Sequence, residues 1–154
     1  MSEEQLLVRR IKDGTVIDHI DSGKALIVLK ALNITGNEGN VITIAMNVPS
    51  DKLGKKDIIK VENRFLEPEE TNKLALFAPH ASINIISNYK VKEKRNVELP
   101  DKFIDIIKCV NPNCITNSGE NISSVIEVID KHERRLRCRY CRRLINVSEL
   151  LYQI

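Results

Sequence analysis

GTVIDHIDSGKALIVLKALNITGNEGNVITIAMNV (residues 14–48) changes periodicity twice, and those changes set the fold. Its opening GTVIDHI is rich in β-branched side chains and starts at a glycine, which predicts a strand. Ala25, Leu26, Leu29 and Leu32 then recur at helical spacing, predicting a helix over 23–32 with Asp21 or Ser22 as its cap. Residues 33–40 are turn chemistry. Residues 41–48 form a second, largely apolar strand that Pro49 should end.

The pattern repeats downstream. Over 58–65, Ile59, Val61 and Phe65 alternate with Lys60, Glu62 and Arg64, as a half-buried strand requires. Pro68 suits a first helical turn with Glu69 and Glu70 beside it, and the helix should continue through LALFA to Pro79. Residues 82–94 resume alternation, with Ile83, Ile85, Tyr89 and Val91 on one parity and Asn84, Asn88, Lys90, Lys92 and Lys94 on the other. The order βαββαβ predicts an α+β, ferredoxin-like domain, an antiparallel sheet with both helices on one face and the other face free.

KEKRNVELP (92–100) is polar and closed by a proline, so we place a boundary there, giving domains 1–99 and 100–154. In the second domain, 123–129 and 134–139 read as strands around a turn, with an apolar segment at 144–151. Hydrophobic residues make up 42% of the chain but aromatics only 4%, so the cores must be aliphatic. Residues 1–100 hold fifteen Lys and Arg against fourteen Asp and Glu, and 101–154 nine against seven. Neither part is basic enough to demand nucleic acid. The chain opens with Ser2, Glu3 and Glu4 and no apolar run reaches membrane-spanning length, so a cytoplasmic protein is expected.

All four cysteines fall in the second domain, at Cys109, Cys114, Cys138 and Cys141. Two close pairs separated by a hairpin-sized insertion are what one tetrahedral zinc ion needs. Two disulfides or four unrelated buried thiols are the alternatives. A four-thiolate shell leaves no open position, so the zinc, one per chain, should be structural. KHERRLRCRYCRR (131–143) carries seven Lys or Arg around this centre. They fit neutralisation of the thiolates or a protein partner better than nucleic acid, because stacking aromatics are scarce.

Neither GxGxxG nor GxxxxGK[ST] occurs, so a nucleotide in the first domain would need another kind of site. Asp18 and His19 are neighbours, yet adjacent strand residues point to opposite faces and would meet only at a strand end or a bulge. A catalytic pair is therefore not expected. Lys60, Asn84, Ile86 and Lys94 share the parity facing away from the helices, a face suited either to an anion or simply to water.

GTVIDHI (14–20), ITIAMNVPS (42–50), LGKKDIIKVEN (53–63), LALFAPHASIN (74–84), NYKV (88–91) and the two cysteine pairs together carry a resemblance to the regulatory chains of aspartate carbamoyltransferase, over almost the whole sequence. The resemblance implies a non-catalytic allosteric subunit in pyrimidine biosynthesis. Its N-terminal domain would bind ATP, CTP or UTP and form a homodimer, and its zinc domain would attach to catalytic chains. It also implies nucleotide contacts at Ile11, Val16, Asp18, His19, Lys60, Asn84, Ile86, Tyr89, Val91 and Lys94, with His19 and Lys94 serving phosphates and Lys60 and the backbone near Tyr89 serving ribose and base. Asn111 and Asn113 match residues that contact the catalytic chain, whereas Arg142 replaces an acidic residue found in some relatives.

Overall fold

The computed structural model describes residues 10–153, so Ser2, Glu3 and Glu4 lie outside the described residues. The chain divides into two compact units between Glu98 and Leu99. The first contains β1 (Gly14–Asp21), α1 (Ala25–Ala31), β2 (Ile42–Ser50), β3 (Gly54–Glu62), α2 (Pro68–Thr71) running into a 3-10 turn (Asn72–Leu76), β4 (Ser82–Ser87) and β5 (Lys90–Asn96). The strands form one sheet in the order β2-β3-β1-β4-β5, and every neighbouring pair is antiparallel. This is the expected βαββαβ arrangement with one strand added at its edge.

The added strand comes from the stretch 82–94, which alternation alone makes a single strand. Asn88 and Tyr89 take φ values of 51° and 67° and turn the chain back on itself, so that Ser87 pairs with Lys90. Two consecutive residues with positive φ match the twist of a tight hairpin. The Asn88 N–H donates to Asp13 Oδ1 (3.0 Å) and the Tyr89 N–H to the Lys12 carbonyl (2.9 Å), fixing the turn against the start of β1.

One face of the sheet is packed with aliphatic residues. Ile17, Ile59 and Ile83 stand side by side on β1, β3 and β4 and are fully buried, as are Ala25 and Val28 of α1, Leu74 of the 3-10 turn and Ala78 just after it. The N-terminus of α1 is capped differently from expectation. Neither Asp21 nor Ser22 does it; Gly23 and Ala25 donate their N–H groups to Oδ2 of Asp57 on β3, at 2.9 and 3.0 Å. Ser22 instead donates its hydroxyl to the Asn47 side chain. At the second helix Pro68 does sit at the first position, and Glu67 and Glu70 form a capping box. The helix is one α turn followed by a 3-10 turn, shorter than the apolar pattern predicts. Pro49 lies within β2 rather than after it, on an edge strand, where proline is tolerated.

The second unit is a four-stranded antiparallel sheet of β6 (Lys102–Ile104), β7 (Val125–Asp130), β8 (Arg135–Cys138) and β9 (Leu144–Ile145), followed by α3 (Val147–Leu150). Its small core holds Phe103, Ile126, Leu136 and Ile145, all nearly or fully buried. Among the described residues no helix is long and apolar enough to cross a membrane.

Gly14 begins β1 at φ 144°, and a Cβ there would lie 2.2 Å from the Val61 carbonyl oxygen on β3. No flexible side chain can move to relieve that contact. Gly14→Ala should therefore destabilise the first unit by about 3 kcal/mol or more, read as a fall in its denaturation midpoint, while leaving the second unit's transition in place.

Candidate metal centre and ligand face

In the second unit two turns bring the thiols together. The Cys114 N–H closes a turn onto the Asn111 carbonyl (3.0 Å), and the Asn117 amide ties the Cys109 and Asn111 carbonyls at 2.8 Å each. Across the sheet, Cys138 ends β8, and the Arg142 N–H donates back to its carbonyl at 3.0 Å, presenting Cys141 beside it. Cys109 Sγ lies 3.6 Å from Cys141 Sγ and Cys114 Sγ lies 3.7 Å from Cys138 Sγ, and all four sulfurs fall within 4.8 Å of one another.

A disulfide would draw two sulfurs to about 2.05 Å. Four sulfurs about 2.3 Å from one zinc ion stand about 3.8 Å apart along the edges of a tetrahedron. The observed spacings match the second geometry, and all four thiols are free. The cluster is positioned to chelate a metal ion, as a structural zinc requires. Without a cation the thiols cannot all ionise. Burial pushes Cys109 and Cys138 up, whereas at Cys114 burial is outweighed by hydrogen bonds, chiefly from Thr116, which bring it down to about 7. A divalent ion removes that conflict by neutralising the thiolates.

Three of the seven basic residues around the cluster are paired with carboxylates of their own unit. Lys131 pairs with Asp101 (3.1 Å), Arg139 with Glu127 (3.4 Å) and Arg143 with Glu149 (3.2 Å).

In the first unit, strand register gathers the expected ligand residues on the face away from the helices. Lys60 pairs with Val16, Val16 with Asn84, and Asn84 with Lys94, a row across β3, β1, β4 and β5. The next row holds Gly14, Ile86 and Val91. Alternation assigns Val91 to the other face, and a bulge corrects this: Ile85 pairs with Glu93 but Ile86 with Val91, leaving Lys92 as the extra residue. Ile11 is buried just before β1, and Tyr89 sits exposed at the hairpin tip, where its carbonyl accepts from Arg10 (3.0 Å).

Asp18 and His19 do meet, because β1 also carries a bulge. Ile17 pairs with Ile59 and Ile20 with Asp57, so Asp18 and His19 together oppose the single residue Ile58. His19 takes φ 55°, and its N–H donates to Asp18 Oδ1 at 2.6 Å. Its Nδ1 lies 3.3 Å from the Ser82 hydroxyl. Lys56, which the sequence did not single out, pairs with Asp18 at 2.9 Å. The signal was its parity with Lys60 on the same strand.

This face has an excess of positive charge. Burial lowers the His19 pKa; Asp18 opposes the shift, and Lys56, Lys52 and Lys94 add to it. Burial also lowers Lys60, with Asp18 opposing and Arg10 adding. Asp18, with Glu62 in the next row, stands against Lys52, Lys56, Lys60, Lys94 and Arg10, so cations outnumber carboxylates and a polyanion would find complementary charge.

Cys114→Ala should abolish stoichiometric metal binding, from about one equivalent per chain to a small fraction by elemental analysis of protein purified under reducing conditions. The second unit should lose its folded circular-dichroism signal, whereas the first unit keeps its own.

Residues 6–98 match the allosteric domain of the aspartate carbamoyltransferase regulatory chain, and residues 101–151 match that chain's metal binding domain. The aspartate carbamoyltransferase regulatory chain of Nitrosopumilus maritimus is 58% identical over 152 residues, and that of Cenarchaeum symbiosum is 57% identical over 152, each alignment covering 99% of both chains. The regulatory chain of Korarchaeum cryptofilum is 49% identical over 153 residues, 99% of this chain and 98% of its own. A two-unit chain with a four-thiol centre, matched along nearly its full length by such relatives, belongs to the family of aspartate carbamoyltransferase regulatory chains.

Proposed function

We propose that the two units divide the work of a non-catalytic subunit that regulates aspartate carbamoyltransferase, and through it pyrimidine biosynthesis. The first unit binds ATP, CTP or UTP on the face that carries Val16, Asp18, His19, Lys60, Asn84, Ile86, Val91 and Lys94, with Ile11 and Tyr89 at its margin. The second unit, held by zinc on Cys109, Cys114, Cys138 and Cys141, docks onto catalytic chains, and the first units pair as a homodimer. The setting is the cytoplasm. The observation that carries this reading is the cross-strand row Lys60–Val16–Asn84–Lys94 next to the cluster of Asp18, His19 and Lys56. It offers cations for a triphosphate and amide and apolar groups for ribose and base.

Regulation also needs an assembly with two states for which the nucleotide has unequal affinity, since a ligand that binds both equally shifts nothing. Dimers bridging catalytic chains supply that assembly. The test is substrate saturation of the reconstituted complex, with and without each nucleotide, beside the isolated catalytic chains. The curves for the complex should move with at least one nucleotide. Curves unmoved by nucleotides that demonstrably bind would reduce the chain to an assembly factor.

Lys60→Ala and Lys94→Ala should each weaken nucleotide binding by about 1.5–3 kcal/mol, measured by calorimetry, with little loss of fold. Binding should also depend on pH through His19. Its pKa is lowered in the free protein, so near neutrality it is mostly uncharged, and a bound triphosphate raises that pKa. Affinity should be fullest below the free-state pKa and decline as pH rises through the bound-state value. Calorimetry in buffers of different ionisation enthalpy should detect proton uptake on binding, and His19→Gln should abolish it.

A further inference from the structure

His19 reaches the ligand face only because β1 carries an extra residue there, and that bulge has a twin. On the other side of β3, Ala45 pairs with Ile58 and Val48 with Lys56, so Met46 and Asn47 together oppose Asp57. The two bulges thus flank consecutive residues of β3, Ile58 and Asp57, and each contains a non-glycine residue at positive φ, His19 at 55° and Asn47 at 60°. Such a conformation is unfavourable for a residue with a side chain, and it persists only where surrounding groups hold it.

Asp57 is in position to hold both. Its side chain is fully buried, and its carboxylate accepts three backbone N–H groups from two separate segments. Oδ1 takes the Asn47 N–H at 2.9 Å, at the centre of the β2 bulge. Oδ2 takes the N–H groups of Gly23 (2.9 Å) and Ala25 (3.0 Å), where the chain leaves β1 for α1. Only three residues, Ile20 to Ser22, separate His19 from that clamp, and Ile20 itself pairs with Asp57 across the strands. Ser22 bonds the Asn47 side chain and joins the two ends of the clamp.

We propose that Asp57 is a positioning residue for the nucleotide face: by clamping the chain on both sides of the paired bulges it keeps His19 turned toward Asp18, Lys56 and Lys94. The Asp57 carboxylate bonds backbone amides of Gly23, Ala25 and Asn47. It acts through the backbone, fixing where β1 ends and α1 begins, so that the extra residue of β1 is taken up at Asp18 and His19. This inference deepens the proposed nucleotide reading and rests on it for its functional meaning. The arrangement of His19 can be measured without a nucleotide.

The experiment is an NMR titration of the His19 imidazole in the ligand-free, zinc-loaded full chain and in Asp57→Asn. The groups facing that ring are Asp18 on β1, Ser82 on β4, Lys56 on β3, Lys94 on β5 and Lys52 in the turn between β2 and β3. Asn offers one acceptor oxygen and an NH2 group where two carboxylate oxygens stood, so either Asn47 or the Gly23–Ala25 end loses its acceptor. The His19 midpoint should lie below 6.5 in the wild type and rise toward that value in Asp57→Asn as the ring becomes more exposed. CTP affinity should fall about tenfold near pH 6 and less at pH 8. In the His19→Gln background, adding Asp57→Asn should cause little further loss, since both changes remove the same contribution.

An Asp57→Asn chain that loses thermal stability yet keeps the His19 midpoint and the pH profile of CTP binding would show a purely structural role and overturn the proposal. A wild-type chain that binds no nucleotide would defeat the functional reading instead, and the ligand-free titration would still decide the positioning role. Should Asp57→Asn not fold, the wild-type amide resonances of Gly23, Ala25 and Asn47 decide it. They should shift with the His19 midpoint, because coupling between the ring and the clamp is reciprocal, and amides that stay still would overturn the proposal.

Discussion

Asp57 places a carboxylate with no solvent exposure beside an aliphatic core, and the first unit is arranged so that this group is satisfied. Burying a carboxylate without partners costs several kcal/mol, so the fold must bring donors to it. It does so with backbone rather than side chains: the amides of Gly23 and Ala25 at the start of α1 and that of Asn47 in β2. One interaction thereby caps a helix that has no cap of its own, anchors an edge strand and fixes the end of β1. Those three bonds tie β1, β2, β3 and the start of α1 together at the place where both bulges lie.

The two units share an electrostatic logic of opposite sign. On the first, Lys52, Lys56, Lys94 and Arg10 gather around His19 and Lys60 with Asp18 among them, and burial, with a smaller push from the cations, holds His19 and Lys60 below their ordinary values. On the second, four thiols stand too close to ionise together. Each cluster carries charge or potential charge that the chain alone does not balance. The four thiols suit a divalent cation, and the proposed nucleotide would supply the negative charge that the cationic face lacks.

The two completions serve different ends. A closed four-thiolate shell leaves no open coordination position and fits a fixed structural part, since metal binding energy becomes folding energy in so small a core. The cationic face is open and partly exposed, as an exchangeable ligand requires. A regulator needs this division between a constant element that docks and a variable one that senses, because coupling arises only if the ligand distinguishes two states of the assembly.

Much of this was legible from residue types and spacing. Strand and helix order followed from periodicities of two and 3.6, the metal cluster from paired cysteines, and the shared face of Lys60 and Asn84 from parity. Those features depend on local spacing, which the sequence determines by itself. The split of 82–94 into a hairpin, the arrival of Val91 on the ligand face, the meeting of Asp18 with His19 and the capping of α1 by Asp57 were settled only in the tertiary structure. Each turns on a bulge, a positive φ or a hydrogen bond between residues distant in sequence. Alternation is blind to these because one extra residue reverses every side chain beyond it, and whether a strand takes up that residue is decided by the partner strand beside it.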